Sequence, residues 1–184
     1  MRVLSLPFAL CLALVAIGSS APVHAAQDAA KSTDFDFLLG EWRVQHKYVR
    51  VSGERREWVE ADGTCTNRHI VDGWGNTDEC VINTSTGTNR GLALRSYDAK
   101  TQEWAIWWLD GRYPAGPLDP PVKGSFANGV GTFFGEIKVN GKLNRMRFIW
   151  SQITATSARW EQALSQDEGK TWDTVWIMSF QRIS

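Results

Sequence analysis

TCTNRHIVDGWGNTDECVIN, residues 64–83, holds two strand-like runs, Thr64 to Val71 and Thr77 to Asn83, on either side of Asp72-Gly73. Asp-Gly suits the positive φ angles of a tight hairpin, so the stretch predicts two antiparallel strands with Cys65 and Cys80 roughly opposite. The same unit recurs outward in both directions. Strand signals bounded by Gly, Asp or Asn return about every ten residues. They fall near Trp42 to Val51, Arg55 to Ala61, Thr64 to Val71, Thr77 to Asn83, Arg90 to Tyr97, Trp104 to Leu109, Val122 to Ala127, Thr132 to Val139, Asn144 to Gln152, Ala158 to Ser165 and Thr171 to Arg182. Ser52-Gly53, Asp62-Gly63, Asn128-Gly129 and Asn140-Gly141 supply further turns of the same chemistry.

Hairpins joined in sequence make an up-and-down meander, and no helix longer than two turns is evident. About ten strands in an open sheet would leave two exposed edges, so closure into a single antiparallel β-barrel is expected, with a sandwich as the alternative. The ten tryptophans, Trp42 through Trp176, lie almost all within these runs. Large amphipathic rings spread over the folded length suit a wide barrel with an aromatic interior.

The N-terminus reads differently. Arg2, the apolar run from Val3 to Ile17 and the sequence Val23-His24-Ala25 form a secretory signal pattern with cleavage after Ala25. That run is shorter than the roughly 20 apolar residues that span a bilayer, and Cys11 lies inside it rather than at a lipidation site. No membrane span is expected. Residues 26–32 read as a disordered leader and 33–184 as one domain, exported and periplasmic. Loss of Arg2 turns 20 basic and 20 acidic residues into 19 and 20, which offers nucleic acid no electrostatic footprint. Loss of Cys11 leaves Cys65 and Cys80 as an isolated pair in an oxidising compartment, where a disulfide is expected and would contribute about 3 kcal/mol in the chain-entropy model. Neither CxxC nor HExxH spacing occurs, so no metal is expected.

Thr33 to Leu39 suggests one helical turn, capped by Thr33 or Asp34, with Phe35, Leu38 and Leu39 facing the core. DGRYPAGPLDPP, residues 110–121, is a long stiff loop holding Pro114, Pro117, Pro120 and Pro121. It reads either as a lid across one barrel mouth, with Arg112 and Tyr113 reaching a bound molecule, or as a rigid surface bracket. Ser165 to Trp172 matches the Asp-box pattern S-x-D-x-G-x-T-W of sialidase-type propellers. It occurs once here, so it is expected as a structural hairpin in which Asp167 accepts from turn amides and Trp172 plugs into the core.

Phe35-Asp36-Phe37-Leu38-Leu39-Gly40-Glu41-Trp42, a helical turn followed by G-x-W, resembles the opening of lipocalin and related calycin barrels. That resemblance implies that Trp42 closes one barrel end and that an arginine, here Arg182, packs over it. With D-G-W-G-N-x-D-E, L-R-S-Y-D, R-F-x-W-S and S-x-D-x-G-K-T-W-x-x-x-W-x-M, the chain over residues 35–182 also resembles a bacterial family of unknown function with lipocalin-like barrels. The likeness implies fold, not activity. Nitrobindin, a more distant relative of this barrel type, holds haem through a histidine on a late strand. This chain has only His46 and His69 beyond the signal, so no haem and no other cofactor is expected.

Alternation makes Trp104, Ile106 and Trp108, then Met146, Phe148 and Trp150, then Trp160, Gln162 and Leu164, then Trp176, Met178 and Phe180 the expected inward face. These rings either wall a cavity or fill it. The candidate ligand-binding residues are His46, Trp104, Trp108, Arg112, Tyr113, Trp150, Gln162 and Trp176, and the expected partner is a small apolar or aromatic molecule. No catalytic residue is assigned. An enzyme of hydrolase or isomerase type would need two of Glu57, Asp78, Glu79, Glu136 and Glu161 to converge inside, and G-x-S-x-G is absent. Asn76, Asp78 and Glu79 read as hairpin capping before a cation site. A structural or interaction protein of the envelope is the third reading, and the sequence leaves the oligomeric state open.

Overall fold

The computed structural model describes residues 31–139 and 141–184. The expected signal segment, residues 26–30 of the leader and Asn140 lie outside them. Ten strands follow in order: β1 (Gly40–Ser52), β2 (Arg55–Ile70), β3 (Gly75–Thr84), β4 (Gly87–Asp98), β5 (Glu103–Asp110), β6 (Val122–Ala127), β7 (Val130–Val139), β8 (Lys142–Ser151), β9 (Ser157–Ser165) and β10 (Asp173–Arg182). Each pairs antiparallel with its chain neighbour, and β10 returns to β1 with Trp42 opposite Arg182 and Tyr48 opposite Trp176. The protein is therefore an all-β closed barrel. Closure removes the two edges that an open meander would expose. Among the described residues no helix is long and apolar enough to cross a membrane.

Asp62-Gly63 does not turn. It lies inside β2, with Asp62 opposite both Gln45 and Asn83, so two expected strands are one. The glycine answers to a different need: a Cβ on Gly63 would sit 2.1 Å from the carbonyl oxygen of Val81. Close approach of β3, not positive φ, requires it. At Asp72-Gly73 the chain does reverse, but through a longer connection. Val71, Asp72 and Gly73 all have positive φ, at 48°, 50° and 82°, and the Trp74 amide donates to the Val71 carbonyl at 3.0 Å. A β-branched residue such as Val71 adopts this region only at a cost.

This hairpin sets the register that places Cys65 opposite Cys80, at a disulfide distance of 2.02 Å with Cα atoms 4.2 Å apart. Both are buried.

One barrel end is sealed by the segment that precedes β1. Asp36–Leu38 makes a single 3-10 turn with no side-chain cap. The Asp34 carboxylate instead accepts from Ser32 Oγ and, at 3.2 Å, from the Trp104 indole. Phe35 and Leu38 are fully buried, while Leu39 stays half-buried. Phe35 meets Trp104 and Phe126 edge-on, with ring centroids 5.0 and 4.9 Å away, and stacks near Phe133. Trp42 completes the floor. Its indole donates to the Leu38 carbonyl at 2.6 Å, and the Arg182 guanidinium lies 4.2 Å over its ring. Arg182 also donates to the carbonyls of Phe37, Leu39 and Ala155, which ties β10 to the plug.

The Asp-box is a hairpin between β9 and β10. Asp167 accepts from Thr171 Oγ1 at 2.6 Å, the Thr171 amide at 2.9 Å and Ser165 Oγ at 2.7 Å. Those bonds, from Thr171 above all, hold its carboxyl at about 2. Trp172 does not enter the core. It packs on the outer wall, 4.4 Å from the Arg147 guanidinium and 6.0 Å from the Phe134 ring, because the neighbours Phe133 and Phe148 take the inward positions of β7 and β8.

Candidate functional site

Alternation along ten strands sends one set of side chains into the barrel, and above the aromatic floor these do not fill it. A chamber of about 200 Å³ remains, walled by Trp108, Trp150, Trp160, Trp176, Phe148, Met146 and Met178 with Ala93 and Cys80 opposite. An apolar cavity of about 150 Å³ holds benzene, so this space suits one substituted ring. Next to the chamber lies a wider mouth of about 660 Å³. Ile82, Trp108, Gln162 and Trp176 belong to both spaces and form the collar between them. The collar depends on Gly91. A Cβ there would lie 2.0 Å from the Trp108 ring, so only glycine lets that indole lie over β4.

Below the collar sits a buried ion pair. Arg95 Nη2 donates to Asp78 Oδ2 at 2.7 Å and Nη1 to Asn76 Oδ1 at 3.0 Å, with both charged side chains about 5% exposed. The Ala93 amide and Asn67 extend the network. The guanidinium lies 5.1 Å from the Phe35 ring centre and 5.8 Å from that of Trp150. Arg95 Nε, Asn67 Oδ1 and Trp150 Nε1 have no hydrogen-bond partner among the described residues.

Asn76 and Asp78 thus bind Arg95 rather than cap the hairpin, and Glu79 faces outward. The carboxylates do not converge. Glu57 pairs with Arg50 and Arg55 at the β1–β2 tip, Glu161 pairs with Arg159, and neither they nor Glu79 nor Glu136 line the chamber. Among the described residues no three His, Cys, Asp or Glu side chains are grouped to hold a metal ion.

The structure gathers some of the candidate residues and separates others. Trp108, Gln162 and Trp176 meet at the collar, Trp150 lies in the chamber wall and Arg112 stands at the mouth, bound to Asp110 at 2.6 Å. Trp104 is part of the sealed floor and does not line the chamber. Tyr113 is 71% exposed beside Arg112 and faces away from the interior. His46 is buried behind Trp176, whose indole donates to its Nδ1 at 3.3 Å. Arg95 is missing from the candidates, although its place between Ala93 and Tyr97 on one alternation face was visible in the sequence. Its partner Asp78 was not, because register decides it.

Comparison with models of known protein families gives no match, and comparison with curated proteins gives none either.

The proline-rich loop proves to be a strap over the side of the barrel. β5 and β6 pair only through Trp104, Ala105 and Ile106. Residues 107–110 on one edge and 135–139 on the other are not joined to each other, and β7 pairs with β6 only as far as Phe134. Residues 111–121 cross this window, and Asp119 and Pro120 reach the chamber wall.

His46 gives the fold a pH response. Desolvation by burial lowers its pKa from 6.5 to about 4, partly opposed by Asp62. The unfolded chain therefore takes up the proton first as pH falls. His46 lends its full stability above pH 6.5 and loses it between 6.5 and about 4. We expect its NMR titration midpoint near 4 and a flatter stability profile over that window in His46→Gln; a midpoint near 6.5 would contradict the buried placement.

Proposed function

We propose that the chain is an exported barrel of calycin type that binds a small apolar or aromatic molecule in its interior. The observation that carries this reading is the aromatic chamber of about 200 Å³ beneath a collar that it shares with the mouth. A core that merely needed filling would leave no such space, because interiors pack to crystal-like density. The stacking of Arg182 on Trp42 supports the calycin relationship. The signal pattern of residues 1–25 and the Cys65–Cys80 pair, which suits an oxidising compartment, support export to the periplasm. The enzyme reading gains less support: of the two carboxylates that line the chamber, Asp78 is bound to Arg95 and Asp119 lies on the exposed strap.

Native mass spectrometry of protein purified from its own host tests the proposal. The expected result is a bound small molecule released on denaturation, whose return to the stripped protein quenches Trp fluorescence. Repeated recovery of bare protein whose fluorescence no hydrophobic probe changes would overturn it.

A further inference from the structure

We propose that the ligand is a small amphipathic anion, its ring in the chamber and a carboxylate-like head at the mouth; this rests on the chamber reading above. Charge is distributed to favour that orientation. Three charged residues line the chamber: Arg95 and Asp78 neutralise each other at 2.7 Å, and Asp119 of the strap adds a carboxylate at the wall. An anionic head placed there would lose its hydration with no free cation to receive it and a carboxylate at the wall against it.

The mouth offers the opposite. Arg56, Arg90 and Arg112 line it against two carboxylates, Asp110 and Asp173. Arg56 pairs with Asp173 at 2.5 Å and Arg112 with Asp110 at 2.6 Å. Arg90, exposed at the rim on the outward alternation of β4, has no ion-pair partner among the described residues, so the mouth carries one positive charge beyond its two carboxylates. Arg112 spends Nε and Nη2 on Asp110, and its Nη1 makes no hydrogen bond among the described residues. At the collar Gln162 makes a single weak contact, Nε2 to Met146 Sδ at 3.4 Å, so its amide is free to turn toward a polar head. An anion here keeps part of its water, gains the arginines and costs little to bury.

Calorimetric titration with phenylbutyrate, phenylbutanol and phenylbutylamine, which share a tail and differ in head charge, tests the inference. At low salt the acid is expected to bind roughly fivefold tighter than the alcohol and the amine weakest, with the gap closing as salt is raised. Arg90→Gln is expected to remove the preference and leave the alcohol unchanged. Ala93→Leu, which narrows the chamber, is expected to weaken all three. Equal affinities for the three heads would overturn the inference and leave the chamber reading standing. So would butyrate binding as well as phenylbutyrate, or an acid preference that survives both Arg90→Gln and Arg112→Gln. Failure of all three compounds to bind would overturn both readings.

Discussion

Replacing Asp78 by alanine is expected to cost about 3–5 kcal/mol of folding stability, the range found when one member of a buried ion pair is removed. The cost comes from what stays behind. Arg95 is 4% exposed, and its guanidinium would keep only Asn76 as a hydrogen-bond partner, with Nε already unpaired. The Ala93 amide would also lose its contact with Asp78 Oδ1. Arg95→Met alone should be costly for the mirror reason, an isolated carboxylate. The pair Asp78→Leu with Arg95→Met is expected to recover most of the loss, since apolar groups of similar volume commonly replace such pairs without penalty. Denaturant unfolding of the three variants measures this. An Asp78→Ala midpoint within about 1 kcal/mol of the parent would mean that water reaches the guanidinium from the chamber, and the dry ion pair would be refuted.

Replacing Trp42 by alanine should open the plugged end of the barrel, at a cost of about 3–5 kcal/mol typical of a large-to-small change in a packed core. The side chain is fully buried, donates to Leu38 and meets Phe180 edge-on at 6.1 Å. Its loss also strips Arg182 of the ring on which it stacks. Trp42→Phe separates these contributions: it keeps an aromatic face for Arg182 and leaves the Leu38 carbonyl unpaired, an expected loss of about 1–3 kcal/mol. A double-mutant cycle with Arg182→Ala should return a coupling of about 1 kcal/mol. Independent, additive effects would show that the 4.2 Å stacking carries no energy of its own.

These two sites differ in how far the sequence exposes them. Trp42 is legible because its surroundings are local: the plug residues are its immediate chain neighbours, and G-x-W marks the entry into β1. The Arg95–Asp78 pair is not, because the residues sit on different strands and meet only when Ala93 stands opposite Asp78 and Arg95 opposite Asn76. Trp172 shows the same limit from another side. Its Asp-box turn is readable residue by residue, but the turn alone does not say which face of the barrel receives the ring.

Alternation, turn chemistry and the paired cysteines are properties of short stretches, so the amino-acid sequence alone was enough to specify a meander of about ten strands, its closure and the hairpin joining Cys65 to Cys80. What only the tertiary structure decided depends on contacts between distant strands: Gly63 as a point of close approach rather than a turn, Trp104 in the floor and Tyr113 outside, and an incomplete β5–β6 pairing bridged by the strap. Side chains along one strand reveal a face. The neighbour each face meets, and whether space is left between them, follows from register and curvature around the whole barrel, and no local stretch of sequence contains that information.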